Sequence, residues 1–228
     1  MVGMGTLYLV RHGQASLGAE DYDQLSDLGR RQCQALGRYW RERGQGFDAV
    51  LTGTLKRHQQ SLAALSEGLQ QADLPTAVQC PGLDEYDSEA LIRAIHSGPL
   101  ERPLTPEAAR AHFRLLREGL AAWMAGRAAP EGMSGYAEFS AGVAAALRQV
   151  QGIAAEKARA RVLLVSSGGP ISTAIGQVLG TPPDATIELN LRIRNSAVSE
   201  FAISAKRMAL QTFNSVAHLD DTALLSFA

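Results

Sequence analysis

Leu7-Tyr8-Leu9-Val10-Arg11-His12-Gly13-Gln14 is a short apolar run that stops abruptly at an arginine and a histidine. Four large apolar residues in succession are too few for a stable helix and read as a strand buried on both faces. The polar residues fall where that strand ends, and in open α/β sheets ligands bind along this carboxyl edge. Gly13 allows a sharp turn or a close backbone approach, which presents Arg11 and His12 at the mouth of a pocket. Taken alone, the same residues also fit an ion-pairing arginine and a capping histidine at a strand end.

Downstream, the polar, glycine-containing stretch Ala15 to Gln24 reads as a loop over that pocket. Ser26 has the chemistry of a helix N-cap, with Asp27 in the first turn and Leu25, Leu28, Cys33, Leu36 and Trp40 at helical spacing. Phe47 to Leu51 is a second short strand, followed by Gly53-Thr54-Leu55-Lys56-Arg57. There Thr54 is expected to cap a helix with the stripe Leu55, Leu62, Leu65 and Leu69. Arg57 would then lie in the first turn, where unpaired amides favour an anion. Thr76 to Cys80 is a weakly marked third strand, leading to Leu83-Asp84-Glu85. From Ser88 to Ala129 the pattern is helical, with Thr105-Pro106-Glu107 as a start signal and Ala109, Phe113, Leu116, Leu120 and Trp123 as the stripe. Tyr136, Phe139, Val143, Leu147, Val150 and Ile153 mark a long amphipathic helix beyond a loop at residues 130–135.

Val162 to Val165 is a second buried strand, ending in Ser166-Ser167-Gly168-Gly169-Pro170. Pro170 at a first helical position and Gly180 past the end bracket the next helix, giving a second strand-to-helix anion site. Leu189, Leu191 and Ile193 alternate with polar residues. Ala197 to Ile203 and Met208 to Phe213 read as closing strands, a hairpin across Ser204-Ala205-Lys206. The order implies an α/β fold, a three-layer α/β/α sandwich with a mostly parallel mixed sheet. One domain over residues 1–228 is expected, with a helical insertion at about 88–130 over the active-site edge.

At 228 residues with 22 basic and 23 acidic side chains, the chain has room for a large core and carries no global field for nucleic acid or anionic membrane. Anion binding must therefore come from a few local cations. Cys33 and Cys80 give neither a metal spacing nor a disulfide framework. Residues 1–6 lack a basic region and an apolar core, and no later run approaches the ~20 apolar residues of a membrane span. A soluble, cytoplasmic protein with no nucleic-acid or membrane partner is expected. Oligomeric state has no sequence signal.

Several of these segments together resemble the histidine phosphatase superfamily, which includes phosphoglycerate mutases. Arg11-His12-Gly13-Gln14 is similar to its nucleophile motif, Gly53 to Arg57 to its second arginine motif, and Leu83-Asp84-Glu85 to the segment carrying its proton donor. Asn214 to Leu219, with His218, is similar to its closing Asn-x-x-x-His-Leu segment. The resemblance implies a metal-independent phosphatase with no cofactor, acting on a small phosphorylated substrate. His12 would be the nucleophile, forming a phosphohistidine, and Glu85 the proton donor. Arg11, Arg57, Ser167 and Gly168 would hold the phosphate, with no metal site. A transferring phosphoryl group spreads negative charge over its oxygens, which suits a clamp of arginines and amides.

The sequence departs from the family pattern at Ser167, which stands where a second histidine usually precedes glycine. Losing one preorganised donor is worth roughly 10²–10³ in rate, which motivates a phosphate-binding or regulatory pseudoenzyme as the alternative. The pairing of Arg-His-Gly-Gln-Ala-Ser with Ser-Gly-Gly-Pro resembles a subgroup of the family. Gly18 and Met133 occupy positions where asparagine and glutamate are common, which argues against efficient mutase chemistry. His58 lies on the Leu55/Leu62 stripe and reads as a packed or pocket-wall histidine; His96 and His112 fall in the insertion, and His218 in the closing segment. A nucleotide site at Gly168-Gly169 and a hydrolase nucleophile at Ser167 are disfavoured by their surroundings, which match neither motif.

Overall fold

In the computed structural model, which describes residues 3–16, 23–70, 74–100 and 105–227, strand β1 (Gly5–Arg11) lies inside a six-stranded sheet. Its partners are β2 (Ala49–Thr52), β3 (Val78–Gln79), β4 (Arg161–Ser166), β5 (Val198–Ile203) and β6 (Met208–Ser215). The spatial order is β3-β2-β4-β1-β5-β6; β1 to β4 run parallel, and β5 and β6 are antiparallel. The sheet is therefore mixed and mostly parallel, as expected. From β1 the chain crosses to β2, and β4 later fills the gap between them. This puts the carboxyl ends of β1, β4 and β2 side by side, with the His12 amide donating to the Ser166 carbonyl (2.8 Å) and the Gly53 amide to that of Val165 (3.1 Å).

Alternation along the strands splits the core between two faces. Leu7, Leu9, Val162, Leu164 and Phe201 pack against α5 (Tyr136–Glu156) and α6 (Gly168–Leu179). Val10, Val50, Leu163 and Val165 face α1 (Asp27–Glu42) and α2 (Lys56–Leu69). A third cluster joins α3 (Ser88–Arg93), α4 (Pro106–Met124) and α7 (Pro183–Asn190) through Leu91, Ile92, Leu116, Leu120, Trp123 and Ile187. Tyr86, beside Glu85, packs edge-on against Trp123 in that cluster. Among the described residues, no helix is long and apolar enough to cross a membrane.

Local signals held where the chemistry was local. Ser26 caps α1, its hydroxyl accepting from the Gly29 amide at 3.1 Å, and Gly180 ends α6 in the left-handed region at φ 68°. Three readings change. Thr54 does not cap α2; the N-cap is Leu55, and the Thr54 hydroxyl turns to Asp84. Helix α6 begins at Gly168, before Pro170. Phe113 is 38% exposed, because the apolar side of α4 is carried by Leu116, Leu120 and Trp123. Pro182 and Pro183 start helix α7, which runs through Asn190, so Leu189 lies in its last turn and Leu191 and Ile193 follow it. The expected pocket loop falls partly outside the described residues, as does Gly18.

Candidate functional site

The three adjacent strand ends bring Arg11, His12, Arg57 and Ser167 into one buried locus, and Glu85 joins it from the segment after the Pro81–Leu83 turn. His12 is 4% exposed, and its Nδ1 lies 2.6 Å from the Gly13 carbonyl. A carbonyl only accepts, so Nδ1 carries the proton and Nε2 keeps its lone pair. Burial, then the Arg11 and Arg57 guanidiniums and His58, hold the His12 pKa well below the ordinary histidine value, leaving the ring neutral.

Each cation is fixed from a different direction. Arg11 donates from Nη1 to the Ile193 carbonyl. Arg57, in the first turn of α2, donates from Nη1 to Asp23 Oδ1 at 2.7 Å. The other Asp23 oxygen accepts the Lys56 amide at 2.8 Å, so a carboxylate from outside the helix occupies the anion position at its start. Asp23 in this role was not visible from the sequence, since it lies 34 residues from Arg57.

Glu85 accepts the Gly169 amide with both oxygens, at 3.1 and 3.2 Å, at the start of α6. Although its surface is partly accessible, desolvation by the surrounding protein raises its pKa against the opposing pull of that amide, Arg57 and Arg11. A side chain at Gly169 would put Cβ 2.2 Å from Glu85 Oε1 and 2.6 Å from the Tyr86 ring, so only glycine permits this approach. A Cβ at Gly168 would meet a single close neighbour, the side-chain Oδ1 of Asn190 at 2.7 Å, so that position is less tightly constrained.

Ser167 is fully buried and makes no cap to its own helix. Its hydroxyl meets His58 Nε2 at 2.6 Å, and the His58 ring lies 5.7 Å from that of His12 between centroids. His58 is thus a pocket-wall residue bonded to the position where the resemblance expects a histidine. Behind it, Asp84 Oδ1 stands 3.6 Å from His58 Nδ1 and accepts the Thr54 amide at 2.6 Å. The sequence pointed to His58 as a packed or pocket-wall residue on the Leu55/Leu62 stripe and to Asp84 only as the neighbour of Glu85, and neither signal joins them to each other or to Ser167.

The closing segment supports the nucleophile loop. Ser196, at φ 57°, donates its amide to the His12 carbonyl at 3.1 Å, and its hydroxyl meets His218 Nε2 at 2.8 Å. Asn214 accepts the Arg194 amide at 2.8 Å and donates to the Arg192 carbonyl at the same distance. His96, just past α3, and His112, on α4, are half-buried.

Burial lowers the His218 pKa to about 4. The unfolded histidine binds its proton near 6.5, so between these values the unfolded state holds more protons and stability falls as pH falls. Up to about 3 kcal/mol is at stake. His12 and His58 act in the same direction. We expect the urea midpoint to drop between pH 7 and 4.5, and His218→Gln to flatten part of that slope. An unchanged slope in the variant would contradict the assignment.

A family model described as the histidine phosphatase superfamily (branch 1) matches residues 7–216. The broad-specificity phosphatase YOR283W of Saccharomyces cerevisiae is 32% identical over 77 residues, 31% of this chain and 34% of that protein. A 2,3-bisphosphoglycerate-dependent phosphoglycerate mutase of Allorhizobium ampelinum is 36% identical over 90 residues, 36% of this chain and 42% of the other. The matched stretches span less than half the length of these curated relatives. Among solved structures, the alpha-ribazole phosphatase from Shigella flexneri superposes with a TM-score of 0.65 at 22% identity, covering 93% of this chain and 97% of that one. The mycobacterial glucosyl-3-phosphoglycerate phosphatase Rv2419c gives 0.64 at 21%, covering 92% and 99%. The phosphoglycerate mutase from Bacillus anthracis gives 0.67 at 17%, covering 95% and 96%. At these identities the structural likeness is one of fold.

Proposed function

This chain belongs to the histidine phosphatase superfamily, and from that premise we propose that it hydrolyses small phosphomonoesters without a metal, through a phosphohistidine at His12. The observation that carries the reading is the state of His12: a buried neutral ring beside two arginines, with Nδ1 tied to the chain and the Nε2 lone pair available. Such a nitrogen attacks phosphorus, forming the P–N bond as the P–O bond to the leaving group breaks. Arg11 and Arg57 take up the charge on the equatorial oxygens. Glu85, whose pKa burial raises, gives its proton to the leaving oxygen and then takes one from the water that cleaves the phosphohistidine. Hydrolysis suits the site better than mutase chemistry, since Met133 packs in the apolar third cluster where mutase-like relatives are expected to carry a glutamate.

The phosphoryl group would compete with Asp23 for Arg57, so the clamp acts on ground and transition states alike. Arg57→Ala is expected to weaken inhibition by vanadate or inorganic phosphate by about tenfold or more, alongside a fall in kcat/KM. The check is the pair of inhibition constants with p-nitrophenyl phosphate in EDTA. Unchanged constants would remove Arg57 from the pocket.

A further inference from the structure

We propose that Asp84, His58 and Ser167 form a proton relay that makes the Ser167 hydroxyl a charge-backed donor to the phosphoryl oxygens, replacing a histidine at position 167 with one reached through a serine. The inference deepens the phosphatase reading and rests on it. His58 and Ser167 both have 0% exposure, and a 2.6 Å contact between a ring nitrogen and a hydroxyl in that setting is a full hydrogen bond. It joins residues 109 positions apart, brought together only because β2 and β4 are neighbours. On the carboxylate side, Asp84 Oδ1 stands 3.6 Å from His58 Nδ1, a buried nitrogen that makes no hydrogen bond, so this link must shorten when the relay is charged. Thr54 donates both its amide and its hydroxyl to Asp84. Gly53 leaves room for the imidazole, because a Cβ there would come 2.2 Å from His58 Nδ1.

The groups facing His58 set its resting state. Burial comes first and lowers its pKa; Arg57 on its own helix acts the same way, while Asp84 and Asp23 oppose them. His12, from the end of β1, adds a second neutral ring beside it. Asp84 stays ionised: burial works against its charge, but its contacts to His58 and Thr54 prevail and hold it below the usual carboxylate range. At rest the imidazole is therefore neutral, with Nδ1–H toward Asp84 and Nε2 accepting the Ser167 proton, so the hydroxyl cannot donate to a substrate. A phosphate in the pocket adds negative charge and shifts this balance. A monoanionic ester passes its P–OH proton to Ser167 Oγ as the Ser167 proton moves to Nε2. A dianion leaves the proton to come from solvent. Either way the bound state has imidazolium between Asp84 and Ser167, and Ser167 O–H donates to the phosphoryl oxygen. Ser167 is then a catalytic residue, and His58 and Asp84 position and charge it.

The test uses the full chain with inorganic phosphate as the calorimetric probe, at pH 8, where it is mostly dianionic, and vanadate as a second binding probe. Calorimetry in buffers of different ionisation enthalpy should show close to one more proton taken up on binding by wild type than by His58→Gln. Ser167→Ala and His58→Gln should each lower kcat/KM about tenfold to thirtyfold, and the double variant no further than the worse single one. If His58→Gln fails to fold, Asp84→Asn, which keeps an acceptor for the Thr54 amide, carries the same expectation of lost proton uptake. Equal proton uptake in all variants, or multiplicative losses in the double variant, would overturn the relay while leaving the phosphatase reading intact. Failure of wild type to bind either probe would instead remove the phosphatase reading itself.

Discussion

His12→Ala is expected to abolish turnover of p-nitrophenyl phosphate in EDTA, with kcat/KM falling by at least roughly 10⁴. The size follows from the roles gathered on one nitrogen. His12 Nε2 is the attacking atom, its orientation is set by the Nδ1 contact to Gly13, and its neutrality by burial and two guanidiniums. Nothing else described in the pocket combines a free lone pair with that placement; the Nε2 of His58 is engaged by Ser167. Rapid quench with a labelled substrate should trap an acid-labile, base-stable phosphoenzyme in wild type and none in the variant. Residual turnover near the wild-type rate, or a requirement for added Mg²⁺, would refute the phosphohistidine route. The phosphate-binding pseudoenzyme makes the opposite forecast: vanadate would still bind, yet wild type and His12→Ala would turn over equally slowly.

How much of this was legible beforehand depended on how far the partners lie apart in the chain. Strand β1 and its ending at Arg11-His12 are written in eight adjacent residues, Gly5 to His12, and Ser26 reaches only three residues on to cap α1. Arg57 at the start of α2 was likewise visible, because strand end, glycine and helix follow one another. What escaped was every contact that needs the sheet order first. The His58–Ser167 bond exists because β4 inserts between β1 and β2, and that insertion has no signature in either segment. Thr54 looked like a cap since its hydroxyl has the right chemistry for one, but Asp84 competes for it from 30 residues away and wins.

Glu85→Gln should separate acid catalysis from mere structure. The substitution keeps size and leaves an oxygen to accept the Gly169 amide, so the start of α6 is preserved. What it removes is the proton. For an alkyl phosphate, whose leaving oxygen is strongly basic, kcat/KM is expected to fall by about 10²–10⁴. For p-nitrophenyl phosphate, whose leaving oxygen needs little help, the phosphorylation step should fall far less. The pH dependence carries the same signature. Burial raises the Glu85 pKa, so the acid form persists to higher pH than for a solvated glutamate and is lost as pH rises through the raised value. Wild type should thus lose phosphorylation rate on an alkyl ester along an alkaline limb that Glu85→Gln lacks. Stability should move the other way. A carboxyl whose folded pKa exceeds its unfolded one costs stability as pH rises through that window, because the folded state then holds the extra proton. At pH 8 the glutamine variant is therefore expected to be at least as stable as wild type by urea unfolding, though much slower. Equal losses on the two substrates together with a lowered urea midpoint would reassign Glu85 to holding the start of α6.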